Sequence, residues 1–181
     1  CDVVGLGRRP TDLSEWADFV KKSQNGGKEV NIAIAGKYFD SGEFVLADSY
    51  ISVIEALKHA AYALGVKPVL HFVSTKEDSL PDLSQYDGVL VPGGFGETGI
   101  EGKIAVIKEA REKKIPYFGL CYGMQLMVIE YARNVAGLAG ATTAEINPKA
   151  EHPVIDFRQA QQEKIAQELG RAACREQVRH R

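Results

Sequence analysis

The sequence predicts an α/β fold, a mostly parallel sheet with helices on both faces. Three observations predict it. From residue 29 onward, short apolar stretches alternate with longer stretches of helical period. The apolar stretches are near-continuous instead of alternating with polar residues, as strands covered on both faces are. Two of them end in glycines, at Gly93-Gly94 and from Gly119 to Gly123, and in such sheets ligands gather beyond the carboxyl ends of the strands.

Residues 1–28 read as a linker with one short helix, and 29–181 as the domain itself. In PTDLSEWADFVKK (10–22), Asp12 or Ser14 suits the N-cap, and Leu13, Trp16 and Phe19 or Val20 fall at helical spacing. SQNGGK (23–28) reads as a flexible joint. VNIAIAG (30–36) is the first strand. DSYISVIEALKHAAYAL (48–64) follows as a helix, with Ile51, Ile54, Leu57, Ala61 and Leu64 on one face. KPVLHFV (67–73) is the second strand and DGVLVPGG (87–94) the third. EGKIAVIKEAREKK (101–114) is a helix with Ile104 and Ile107 facing inward. IPYFGL (115–120) is the fourth strand, and MQLMVIEYARNVAGL (124–138) the helix after it. FDSGEFVLADSY (39–50), with Gly42 and its acidic residues, reads as a mobile surface loop. The last stretch, 158–181, is polar with a weak helical pattern and a basic end, and supplies no further strand.

Bulk properties narrow the function classes. A chain of 181 residues suits one domain with a sizeable core. Its 45% hydrophobic and 25% charged residues match an ordinary soluble protein. A net charge of −2 with dispersed basic residues argues against a nucleic-acid or membrane surface. No apolar run approaches the roughly 20 residues a membrane span needs. Cys1, Cys121 and Cys174 form neither a CxxC pair nor a metal-ligand spacing. They read as free thiols in a reducing compartment, so a cytoplasmic protein without a metal site is expected. The chain opens on Cys1 and not on methionine, which suggests a fragment or a processed product.

Chemistry is expected at GLCYG (119–123). A G-x-C-x-G segment between a strand and a helix has the form of a nucleophile elbow: the nucleophile sits on a strained turn, and the flanking glycines permit close backbone approach. The helix beginning after Cys121 turns its positive end toward the sulfur and favours thiolate. The N–H after the nucleophile can donate to a tetrahedral oxyanion. The alternative is a small buried core cysteine, and the elbow pattern by itself leaves both open. VPGGFGETGIEGK (91–103) adds a second glycine turn, whose N–H groups suit the other half of an oxyanion hole. It is no phosphate loop, because Lys103 is followed by Ile104 and the spacing fails G-x-x-x-x-G-K-[ST]. Its alternative is a turn needed only by the sheet.

VPGGFGETGIEGK, GLCYGMQ and EYARNVAGL stand in the order and spacing of the class I glutamine amidotransferase domain, which the chain resembles over roughly residues 5–165. The PGGFG…EGK loop, the GKY after the first strand, ATTAEINPKAEHPV and the lead-in DLSEW are similar in particular to the CTP synthase family. The resemblance implies a flavodoxin-like amidotransferase fold and a glutaminase that passes ammonia to a separate, covalently linked synthetase domain, where UTP is aminated to CTP with ATP and magnesium. It implies no cofactor in this domain. It implies Cys121 as the nucleophile that forms a glutamyl thioester, and the N–H groups of Gly94 and Tyr122 as the oxyanion hole. Gly93, Phe95 and Gln125 would contact the bound L-glutamine. Glu145, matching the acidic residue of the family's STE segment, would hold its α-amino group; without the resemblance it reads as a surface glutamate.

The family's base and its orienting carboxylate come from a downstream H-P-E segment, and the sequence holds none. His152-Pro153 is followed by valine and matches a surface loop of the family; His59 and His71 read as structural. VRHR, with His180, resembles the start of a family segment whose arginine binds the glutamine carboxylate, which makes Arg181 the candidate for that role. The expectation that follows is a numbering gap between Gly170 and Arg171, with the catalytic His and Glu beyond Arg181. Two alternatives stand beside the enzyme: a non-catalytic glutaminase-like binding or assembly module, and another class I amidotransferase.

Overall fold

The computed structural model describes residues 5, 12–24, 26–36, 50–75, 82–94 and 99–157. Phe95, Arg181, the stretch 39–49, Cys1, Cys174 and the expected break after Gly170 lie outside the described residues.

Four strands, β1 (Glu29–Gly36), β2 (Lys67–Ser74), β3 (Gly88–Val91) and β4 (Tyr117–Gly119), form one sheet in the order β2-β1-β3-β4. Every pairing is parallel. Gly36 pairs with Ser74, Ile34 with Leu90 and Val91 with Gly119, so the carboxyl ends line up along one edge. The chain order reverses between β1 and β3, the switch point at which doubly wound sheets open a crevice.

The near-continuous apolar strands are explained by what covers them. Ala33, Ala35, Val73, Val89 and Val91 pack with Ile104, Val106 and Ile107 of α3 (Ile100–Glu112) and with Leu126 and Ile129 of α4 (Tyr122–Asn134). Their neighbours in the strands, Ile34 and Leu90 with Ile32, Leu70 and Phe72 partly buried, face α2 (Ile51–Ala63) through Ile54, Val53 and Leu57. Alternate residues of one strand thus serve two helical layers, and each large side chain removed from water contributes about 1.5–3 kcal/mol. On α2 the apolar stripe is narrower than the sequence suggests. Ile51 and Leu64 are 48% and 79% exposed, because Leu64 is the C-cap and turns off the sheet while Ile51 opens the first turn.

α1 (Ser14–Gln24) is capped by Asp12, whose Oδ1 accepts the Ser14 N–H at 2.9 Å. Phe19 stacks with Trp16 and meets His59 and Tyr62 of α2 edge-on, at centroid distances of 5.2 and 6.0 Å. None of its residues is buried, so α1 rests on the outside of α2.

Beyond α4 the chain forms a second, two-stranded parallel sheet from β5 (Thr142–Thr143) and β6 (Pro153–Ile155). Nothing in the sequence signals it, because two- and three-residue strands show no period. Arg133 of α4 joins this unit to α3: its Nε donates to the Ala141 carbonyl at 2.6 Å and its Nη1 to Glu101 at 3.0 Å. Among the described residues no helix is long and apolar enough to cross a membrane.

Candidate active site

The turn from β4 into α4 is held tightly from below. Leu120 N–H donates to the Val91 carbonyl at 2.9 Å, and Gly123 N–H returns to the Leu120 carbonyl at 2.8 Å. Between them Cys121 takes φ 49° and ψ −104°, a conformation that costs a non-glycine residue about 1–3 kcal/mol and persists only where its surroundings impose it. The surroundings do so through the two glycines. A β-carbon on Gly119 would stand 2.6 Å from the backbone of Gly123 and Met124, and one on Gly123 would stand 2.2 Å from the Val91 carbonyl oxygen. Strand, turn and helix therefore meet at backbone contact, and the Cys121 thiol is left exposed above them. The buried-core alternative for Cys121 is set aside by this exposure.

Tyr117 braces the same turn. Its hydroxyl donates to the Gly123 carbonyl at 2.8 Å, and burial pushes the phenol well above its ordinary range.

The end of β3 reaches the cysteine. A β-carbon on Gly93 would stand 3.6 Å from the Cys121 Cβ, so a side chain there would occupy the space beside the thiol. Gly94 lies against Lys103 of α3, whose Nζ is 3.7 Å from the place of a Gly94 β-carbon. The same ammonium sits 5.6 Å from the centroid of the Tyr122 ring. Gly94 and Tyr122, the expected oxyanion pair, thus converge on one lysine. In the sequence Lys103 stands out only as a failed phosphate-loop residue; the available signal was a lysine in the first turn of a helix, where a cation opposes the dipole.

One helical turn past the thiol, Gln125 N–H donates to the Cys121 carbonyl at 3.1 Å. Its side chain lines a cavity of about 220 Å³ together with Thr143, Glu145, Ile155, Asp156 and Phe157. Gln125 and Glu145, which the sequence names from separate segments, are brought together here. Glu145 is set by β5: its N–H and that of Ile146 both donate to Thr143 Oγ1, at 3.0 and 3.3 Å. Asp156 and Phe157 were missed, and no sequence signal marks them, because they join the site only through the pairing of β6 with β5. Phe95 and Arg181 lie outside the described residues.

The described histidines stand in other places. His59 packs edge-on against Phe19. His71 Nε2 lies 2.9 Å from Asn31 Oδ1, with its ring against Tyr86. His152 precedes β6, and none of the three lines the cavity with Gln125 and Glu145.

This constellation, an exposed cysteine on a glycine-flanked elbow with a second glycine turn beside it, is that of a doubly wound α/β domain that presents a cysteine at the carboxyl ends of its strands. The chain belongs to the class I glutamine amidotransferase family, whose pattern matches residues 45–179. It is 49% identical over 161 residues to the CTP synthase of Bacillus licheniformis, covering 87% of this chain and 29% of that protein. It is 44% identical over 174 residues to the CTP synthase of Bacillus velezensis, covering 94% and 31%. A solved structure, the Trypanosoma brucei CTPS glutaminase domain with bound acivicin, superposes with a TM-score of 0.62 at 37% identity, covering 72% of this chain and 51% of that one. The chain spans about a third of the length of the curated relatives it matches.

Proposed function

We propose that this domain hydrolyses L-glutamine to glutamate and ammonia through a thioester on Cys121, as the glutaminase part of a CTP synthase. The Cys121 thiolate attacks the side-chain amide carbon. The carbonyl oxygen becomes an oxyanion held by the N–H groups of Gly94 and Tyr122. Collapse of the tetrahedral intermediate expels the amide nitrogen, which takes up a proton and leaves as ammonia. Water then attacks the thioester carbon, releases glutamate and restores the thiol. Gly93 leaves room beside the sulfur. Gln125 and Glu145, on the cavity next to the elbow, contact the amino-acid end of the substrate, with the Glu145 carboxylate facing its ammonium. Phe95 and Arg181 complete this binding set in the reading taken from the family, which draws its proton-cycling base from a histidine and carboxylate in an H-P-E segment that this sequence does not hold.

The observation that carries the reading is Cys121 itself, exposed at φ 49° between two glycines that admit no β-carbon. A structural cysteine gains nothing from that strain, whereas a nucleophile presented at a strand end requires it. The relatives named CTP synthase support the family part of the reading. In the reading taken from the family, ammonia made here is passed to a synthetase domain that aminates UTP to CTP, with ATP and magnesium acting there and no cofactor in this domain. A cytoplasmic location fits that role, with neither nucleic acid nor membrane as partner.

The test is labelling with acivicin, a glutamine analogue, followed by peptide mapping. Selective modification of Cys121, prevented by excess glutamine, is expected. Equal modification of Cys1, Cys121 and Cys174 would contradict the reading and favour a binding or assembly module.

A further inference from the structure

We infer that Lys103 is a positioning residue, which holds Gly94, at the end of β3, and the Tyr122 turn in register so that two N–H groups from different strand ends meet one oxyanion. The inference rests on the thioester reading above and deepens it.

Lys103 sits where ordinary rules would not place a lysine. It is 3% exposed, although lysine is among the residues least often buried so fully. It also lies in the first turn of α3, just after the Gly99 cap, where the helix dipole disfavours a cation. Breaches of local preference of this kind concentrate at functional sites. What the position provides is reach. The ammonium stands 3.7 Å from where a Gly94 β-carbon would be, filling the space beside that glycine, and over the face of the Tyr122 ring, 5.6 Å from its centroid, an arrangement that attracts a cation to the ring.

The strut is anchored at its base. A β-carbon on the preceding residue, Gly102, would stand 2.1 Å from the Thr75 carbonyl oxygen, so the first turn of α3 is pressed onto the end of β2. The lysine backbone is therefore tied to the sheet, and its side chain carries that reference point to two segments that leave the sheet from different strands. Tyr122 is 6% exposed, which fixes the ring that receives the ammonium. An oxyanion hole works only when its donors are held in place before the reaction, and Lys103 supplies that hold at the junction of its halves.

The test uses the full-length protein and steady-state glutamine hydrolysis. Lys103→Met keeps the length of the stem and removes the charge. It should lower kcat about tenfold or more with KM changed less than about twofold, because the oxyanion exists only after the ground state. Lys103→Arg should recover part of the loss. Tyr122→Leu keeps the backbone N–H and removes the ring, and should lower kcat in the same way. The double variant should cost little more than the worse single, as residues acting through one contact do.

A raised KM at constant kcat, full activity of Lys103→Met, or additive losses would each overturn the inference. Should Lys103→Met fail to fold, Tyr122→Leu with and without Lys103→Arg probes the same contact and decides in the same way. Hydrolysis that survives Cys121→Ser would instead remove the thioester reading itself, whatever the lysine variants show.

Discussion

A β-carbon on Gly123 would stand 2.2 Å from the carbonyl oxygen of Val91. The first turn of α4 therefore lies directly on the backbone of β3, and this contact, more than any side chain, sets where Cys121 is presented. Gly123→Ala should force the turn away from β3. Stability should fall by about 1–3 kcal/mol, the usual range for overpacking. Acivicin labelling of Cys121 should slow by far more than the loss of folded protein explains. Urea titration and labelling kinetics on the same sample separate the two effects.

The strain at Cys121 has a thermodynamic signature. Glycine tolerates φ 49° and ψ −104° without the β-carbon penalty, whereas alanine retains the penalty. Cys121→Gly should be more stable than Cys121→Ala by about 1 kcal/mol, the strain cost less the extra chain entropy of glycine. This reverses the order expected anywhere on a regular helix. Calorimetry of the two inactive variants decides it.

Tyr117 predicts an alkaline limit. Its phenol is raised above its ordinary value of 10.0 by burial, so the unfolded chain loses this proton at a lower pH than the folded one. The contribution is fully present below about pH 10 and is lost progressively as pH rises toward the folded value. Tyr117→Phe should flatten that part of the stability profile. At neutral pH it should cost about 1 kcal/mol for the hydroxyl that donates to Gly123.

Arg111 and Glu130 tie α3 to α4. The guanidinium makes a forked contact with the Glu130 carboxylate, Nη2 at 2.8 Å and Nε at 3.0 Å, and the glutamate side chain is 1% exposed. Asn134 Nδ2 adds a third donor at 3.2 Å. Arg111→Met leaves this carboxylate buried without its cation and should destabilise by about 3 kcal/mol. Adding Glu130→Leu should return much of the loss, since a buried pair is often replaceable by apolar residues. Denaturation midpoints of wild type, both singles and the double form the check.

The sheet was legible because VNIAIAG and KPVLHFV are near-continuously apolar and carry no polar face that would suggest anything else, although Phe118 of the edge strand β4 is left 60% exposed. The elbow was legible because Gly119, Cys121 and Gly123 lie within five residues of one another. What escaped notice depends on contacts between distant segments. Lys103 reads as an ordinary helix lysine until the fold sets it between Gly94 and Tyr122. Asp156 and Phe157 acquire meaning only when β6 pairs with β5, a ladder too short to leave a period. Glu130 looks like one more polar helix residue, yet it is buried against Arg111. Ile51 and Leu64 erred in the opposite direction: apolar spacing placed them inward, and the ends of α2 point them out.

Everything proposed for this domain requires Cys121 to carry the glutamyl group during turnover. The most direct test is mass spectrometry of the full-length protein, acid-quenched while it is hydrolysing glutamine. A mass increase of one glutamyl group on the peptide containing Cys121 is the predicted result. Sustained ammonia release with that peptide unmodified would contradict it.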